Sequence, residues 1–456
     1  MRLFPGSVQI VAVVKELLSP HGSGKARDAL SVFRRRIATG AGAVLLGLLA
    51  IAFAKLGDLA QHLFHQFSTA WPYGALLLTP AIFAGTVYLT KRWASEARGS
   101  GIPQVIAASR NPAREALGPL VSLKTGVLKL VMTVLILGAG GSVGREGPTV
   151  QVSAAIMVAV HRLLRVPITA GVLIAGGAAG VAAAFNTPLA GVAFAIEELA
   201  SAYEQKVAVL VMAAVMIAGL VSLGVSGDYI YFGAMHQTLD LRAVLLVAPI
   251  AGVAGGLTGG LFSRALLGFS APGRPWIRSL KQRPVIVAAV CGLIVAVLGI
   301  TSAGATWGTG YETTRHLVES HGGSPWFGPA KFLATLATAL SGAPGGIFAP
   351  SLSVGAGLGD LLADLFPDDP KGAIVLLGMI GYFVGVVRAP LTAVIIITET
   401  TASRGMIVPL FATALIADLV SALVCRERLY HGLARPFIHV PTPEMAAEPE
   451  GRREQD

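Results

Sequence analysis

Charge is scarce in this sequence. Asp, Glu, Lys and Arg make up 13% of its 456 residues against 54% hydrophobic, too few to clothe a water-soluble domain of this size. Cysteine is almost absent: Cys291 and Cys425 stand far apart in apolar surroundings and read as core filler rather than a disulfide or a metal pair. Nucleotide motifs are missing. The run Gly138–Gly144 holds glycines near dinucleotide-loop spacing, but it follows an apolar span instead of a soluble strand, and no Gly-Lys-Ser/Thr follows it. Without a Ser/His/Asp or Cys/His set there is no candidate catalytic residue, so neither an enzyme nor an ATP-driven pump is expected, and no cofactor is implied. His62 and His65 have helical spacing for a metal, yet no further ligand lies near them, and they read as part of a solvated loop. The start, Met1 to Leu18, lacks a small-residue cleavage site after a long apolar core, so it does not read as a signal peptide.

What is present defines an all-α polytopic membrane protein. Mean hydropathy is +0.69 and the 55 glycines far exceed globular usage. Apolar stretches recur from Ala41–Ala54 to Met406–Val424, and several fall short of the roughly 20 residues a full span needs. Such short pieces predict tilted, broken or re-entrant helices inside the protein. The net charge of +10 invites a nucleic-acid partner, but no basic groove with interleaved aromatics exists. The basic residues gather instead at chain ends and loops: Lys15 to Arg36 before the first span, Lys91, Arg92 and Arg98 after the second, and Arg426, Arg428 and Arg435 after the last. By the positive-inside rule both termini lie in the cytoplasm.

An internal comparison gives the organisation. One constant offset of 202 aligns Lys129 with Lys331, Thr133 with Thr335, Gly140 with Gly342, Gly144 with Gly346, Pro148 with Pro350, Pro188 with Pro390 and Glu197 with Glu399, without a gap. Glycine matches come easily in a glycine-rich chain, whereas Lys, Pro and Glu are scarce and share the register. The expected layout is an N-terminal segment 1–39, a first membrane unit 40–227, a linker 228–239, a second unit 240–424, a short C-terminal helix 425–440 and a polar tail 441–456. Transporters built from such repeats place the substrate where discontinuous helices converge from both halves.

The centre of the first unit is Gly144-Arg145-Glu146-Gly147-Pro148. Glycines permit unwound backbone and Pro148 suits the first turn of a new helix, whose free N–H groups attract anions. Glu146 places a carboxylate beside that seat at membrane depth, where an ionisable group costs about 2.5–3.5 kcal/mol and marks an ion or proton pathway. An ion pair of Glu146 with Arg145 is disfavoured because adjacent helical residues do not face each other.

Gly99-Ser100-Gly101-Ile102-Pro103, Gly144 to Pro148 and Gly346-Ile347-Phe348-Ala349-Pro350, in this order in a duplicated membrane chain, resemble the three anion-site signatures of the CLC chloride channel and transporter family. The resemblance runs from about residue 30 to residue 436 and includes Tyr430. It implies the CLC fold, two inverted repeats of tilted and broken helices, about eighteen in all. It further implies a homodimer in membrane lipid with one pore per subunit. The anion-binding set would be Ser100, Ile347, Phe348 and Tyr430 with Gly144, Arg145, Glu146 and Gly147, the hydroxyls of Ser100 and Tyr430 and the N–H groups of Ile347 and Phe348 holding a central chloride. Glu146 would be the gating glutamate, Glu198 the inner proton site and Glu197 its assistant, although the repeat mate Glu399 argues for a structural role at that position. Serine at position 100 goes with chloride in this family. Gln104 departs from it, standing where an acid is frequent, and the short tail leaves no room for nucleotide-sensing domains. A compact chain of this kind resembles the bacterial members of the inner membrane. The implied activity is exchange of chloride for protons; a passive chloride channel on the same fold is the alternative.

Overall fold

The computed structural model describes residues 23–200, 205–227, 231–235, 237–271, 273 and 275–438. Nineteen α-helices lie among the described residues, with no strand beyond one isolated bridge. The expected tail 441–456 and the first 22 residues lie outside them. Among the described residues five helices are long and apolar enough to cross a membrane: Leu30–Ala70, Val207–Ser226, Leu241–Ser270, Pro284–Thr301 and Arg404–Val424. Two of the shorter apolar helices are packed inside these. Lys371–Val387 is buried at every position from Gly372 onward, and Ala170–Phe185 at every position from Gly171. A helix apolar all round belongs in the protein interior, where its backbone is satisfied internally.

Glycine permits the tight packing. Helices Leu241–Ser270 and Lys371–Val387 approach so closely that a Cβ on Gly255 would collide with the backbone of Gly381. Between apolar helices in lipid, such small-residue contacts are what gives association its energy.

The N-terminal part differs from expectation. A single helix, Ser23–Ala70, runs without a break through the 39/40 boundary into the first span, because no proline interrupts it. His62 and His65 therefore sit on that helix rather than in a loop, and His62 Nε2 lies 2.9 Å from Gln66 Nε2.

The repeat is visible in local geometry. Gly140 and Gly342 share positive φ, 74° and 76°, and Asn186 and Arg388 both end their helices in the left-handed conformation at 57° and 61°. Thr133 and Thr335 each donate to the carbonyl four residues back, of Lys129 and Lys331. The two units touch at the centre, where Gly144 and Gly346 form an antiparallel bridge with both N–H···O distances 2.8 Å. That antiparallel meeting brings two helix starts, Glu146–Leu163 and Phe348–Ala363, together from inverted repeats.

Candidate anion and proton site

Each helix start at the centre leaves its first N–H groups without an intrahelical acceptor and carries about half a positive charge. Gly346 must be bare for the starts to meet, since a Cβ there would lie 3.0 Å from Gly144 O and from Gly147 N. Pro148 and Pro350 occupy the first turns, where a missing N–H costs nothing.

Two further turns frame this crossing. Gly99-Ser100-Gly101 precedes helix Ile102–Arg110, and Gly308-Thr309-Gly310 precedes helix Tyr311–Val318. Their glycines take matching left-handed φ values, 63° and 106° in the first turn and 64° and 85° in the second. Each turn is clamped by a buried lysine of its own repeat. Lys129 Nζ donates to Ala97 O at 2.8 Å and to Gly99 O, while Lys331 Nζ donates to Thr306 O at 3.0 Å and Gly308 O at 2.8 Å. The two amino groups are thereby spent on carbonyls instead of on a permeating anion.

Ser100 and Tyr430 are brought together at one end. Both hydroxyls are buried, neither has a hydrogen-bond partner in good geometry, and they lie close enough to interact. Together with Ile347 they close the inner end of a vestibule of about 630 Å³. Lys91, Arg98 and Lys281 line that vestibule, and no carboxylate does among the described residues. Walls of one sign with apolar backing focus anions toward the buried end. Gln104 also lines it and donates to Glu96 O at 2.9 Å and Arg98 O at 2.7 Å, holding the loop where an acid would have added negative charge. Phe348 is fully buried among Phe185, Phe194, Phe383 and Tyr430, with ring centroids 5.1–6.3 Å away. That cage fixes the first turn whose N–H groups face the crossing.

Glu146 is completely buried at the other end. Its Oε2 accepts from the Ala349 N–H at 3.4 Å, so the carboxylate rests on the helix start of the opposite repeat. Its Oε1 accepts from the Tyr311 hydroxyl. Tyr311 was not singled out from the sequence. The clue is present as Gly308-Thr309-Gly310-Tyr311-Glu312 opposite Gly99-Ser100-Gly101-Ile102-Pro103, but that match requires an offset of 209 rather than 202.

Two residues of the sequence-derived set are placed differently. Arg145 turns its guanidinium away from the crossing: Nη1 donates to Asp58 Oδ1 at 2.8 Å and Ala54 O at 2.7 Å, and Nη2 to Tyr231 OH at 2.9 Å. Consecutive residues at a helix start point to different sides, so its side chain braces the neighbouring helix. Glu197 is a cap. Its carboxylate accepts from Leu391 N at 2.9 Å and from Thr392 N and Oγ1, both at 2.7 Å, at the start of helix Pro390–Thr401. Glu399 returns the favour by accepting from Ala190 N at 3.2 Å at the start of helix Pro188–Phe194. A carboxylate with that many donors is held in place. Glu198, its neighbour, is 1% exposed and neither oxygen has a well-formed hydrogen bond.

The chain resembles known proteins along most of its length. A family model described as voltage gated chloride channel matches residues 81–422. The H(+)/Cl(−) exchange transporter ClcA of Yersinia pseudotuberculosis (serotype IB, strain PB1/+) is 30% identical over 419 residues, 86% of this chain and 85% of that protein. ClcA of Vibrio vulnificus (strain YJ016) is 30% identical over 416 residues, 84% of this chain and 86% of that protein. The crystal structure of a slow cyanobacterial Cl−/H+ antiporter superposes with a TM-score of 0.76 at 24% identity, covering 89% of this chain and 98% of that one, a likeness of fold.

Proposed function

We propose that this chain, which belongs to the voltage gated chloride channel family, is an antiporter that moves chloride and protons in opposite directions across a membrane. The observation that carries the reading is the position of Glu146: a carboxylate bonded to the start of helix Phe348–Ala363, where a permeating anion would otherwise rest. Ionised, it competes with chloride for the same N–H groups; protonated, it loses that attraction and vacates them. Anion occupancy and proton binding are then linked by necessity.

The anion seat is assigned to the Ser100 and Tyr430 hydroxyls and the backbone N–H groups of Ile347 and Phe348, with Gly144 and Gly147 giving the close approach. Partial charges of this kind attract an anion without trapping it, as a bare Lys or Arg would. Chloride reaches the seat through the vestibule lined by Lys91, Arg98 and Lys281. Glu198 is assigned as the inner proton site. No cofactor and no catalytic residue enter this cycle. The relatives' bacterial sources and the basic loops support the inner membrane with both termini cytoplasmic. A homodimer in lipid would cover the exposed apolar faces of helices Gln205–Ser226 and Ile407–Val424, where Val209, Leu220, Val408, Leu419 and Leu423 are 61–79% exposed.

Replacing Glu198 tests the assignment. In liposomes Glu198→Gln should keep chloride flux and lose proton movement; proton coupling equal to that of the unaltered protein would remove Glu198 from the pathway.

A further inference from the structure

Glu198 stands in the π-turn Ala195–Leu199, and both its oxygens are closed to solvent. Among the described residues the only ion-pairing group within 4.0 Å is the imidazole of His431, whose Nδ1 lies 3.4 Å from Glu198 Oε1. That nitrogen is also shielded and has no other partner, yet the His431 side chain is 35% exposed, whereas that of Glu198 is 0% exposed. The two groups therefore form a bridge, one end in the protein and the other at the surface.

An ionised carboxylate buried without donors is costly, and so is a buried unpaired imidazolium. The pair avoids both costs by holding one proton between them, as carboxylic acid beside neutral imidazole or as carboxylate beside imidazolium. Histidine suits this position because its ordinary titration falls between pH 5 and 8. We propose that His431 is the proton-exchanging partner of Glu198, passing protons between solvent and the buried carboxylate. This rests on the assignment of Glu198 as the inner proton site.

In the loading direction, solvent protonates the imidazole to imidazolium. The Nδ1–H bond then breaks, its proton bonds to Glu198 Oε1, and a neutral imidazole carrying its proton on Nε2 remains. Rotation of the partly exposed ring lets the bare nitrogen take the next proton from water; unloading reverses each step. Tyr430 precedes His431 on the short helix Leu429–Ala434, so one element carries both a hydroxyl of the anion seat and the proton port.

The surrounding charges leave this exchange intact. Arg428 and Glu197 act on Glu198 from nearby with opposite signs, and Glu427 is paired with Arg435 at 2.8 Å. Of the helices packed against Leu429–Ala434, Ile102–Arg110 and Leu241–Ser270 carry their charges on exposed Arg110, Arg242 and Arg264. Helix Lys371–Val387 carries only Lys371, paired with Asp360 at 2.8 Å.

The test uses purified full-length protein in liposomes, with chloride and proton fluxes recorded for the unaltered chain, His431→Ala, His431→Gln and Glu198→Gln. Both histidine variants should lose about tenfold or more of proton flux, within the usual span of a positioned acid–base group, while chloride flux changes by less than about twofold. Added imidazole should restore proton flux to His431→Ala. Pyrazole, a ring of the same shape that stays unprotonated near neutrality, should not. Proton flux within about twofold of the unaltered protein in the histidine variants, or equal rescue by both rings, would overturn the proposal. The control separates two failures: if Glu198→Gln stops protons and the histidine variants do not, the relay is wrong and Glu198 stands. If Glu198→Gln still carries protons, the assignment beneath the relay is wrong.

Discussion

Removing one oxygen atom, by Tyr311→Phe, should release the gate. In the structure Glu146 has two donors, the Tyr311 hydroxyl on Oε1 and the Ala349 N–H at 3.4 Å on Oε2, and no exposure to water. A hydrogen bond to a charged group is worth about 1.5–3 kcal/mol net, so its loss leaves an ionised carboxylate on one long bond. The ring itself stays: its packing on Tyr231 at 5.1 Å and Phe232 at 5.4 Å, and the Arg145 guanidinium 5.6 Å from its centroid, do not need the hydroxyl. In the proposed cycle Glu146 and chloride compete, so that free energy should reappear as tighter chloride binding. At about 1.4 kcal/mol per decade the expected gain is roughly 10- to 100-fold in apparent affinity. The gain depends on the ionised form of Glu146, because the protonated acid is a weaker acceptor. Titration calorimetry with chloride on detergent-solubilised protein, across pH, measures it. Glu146→Gln supplies the control, since Tyr311→Phe should then have little further effect. Unchanged affinity at alkaline pH, in a variant whose circular dichroism is normal, would refute the competition.

Other consequences follow from the same geometry. Gly147→Ala places a methyl group against the Ser100 hydroxyl and carbonyl. Overpacking of this kind costs about 1–3 kcal/mol, and calorimetry should show chloride binding weakened about tenfold or more. Glu197→Ala removes the acceptor of two backbone N–H groups at helix Pro390–Thr401 and should lower stability by about 0.5–2 kcal/mol. Thermal denaturation should register that loss while the ratio of protons to chloride in liposomes stays unchanged; an altered ratio would return Glu197 to the proton pathway.

The duplication was legible because the aligned Lys, Pro and Glu residues are rare enough for a single register to stand out. The bridge between Gly144 and Gly346 is the spatial form of that register. Tyr311 stayed hidden because the second repeat is seven residues shorter between its Gly-x-Gly turn and its lysine, so a gapless comparison pairs Ile102 with nothing meaningful. Arg145 misled because a motif lists neighbours in sequence, while a helix start sends neighbours in different directions; Asp58, its partner, lies 87 residues away. Glu197 and Glu198 divide for the same reason, one turned to the start of helix Pro390–Thr401 and the other to His431. The continuous helix from Ser23 to Ala70 shows the converse limit. A change from polar to apolar composition marks where the environment changes, and the backbone needs a breaker before it changes too.

Coupled exchange is tested most directly by liposomes holding the purified protein, a chloride gradient, no initial pH gradient and a proton-sensitive electrode outside. Chloride running down its gradient should drive protons the opposite way, building a pH difference that was not there. Chloride flux of normal size with no proton movement would contradict exchange and leave a passive anion pathway through the same crossing.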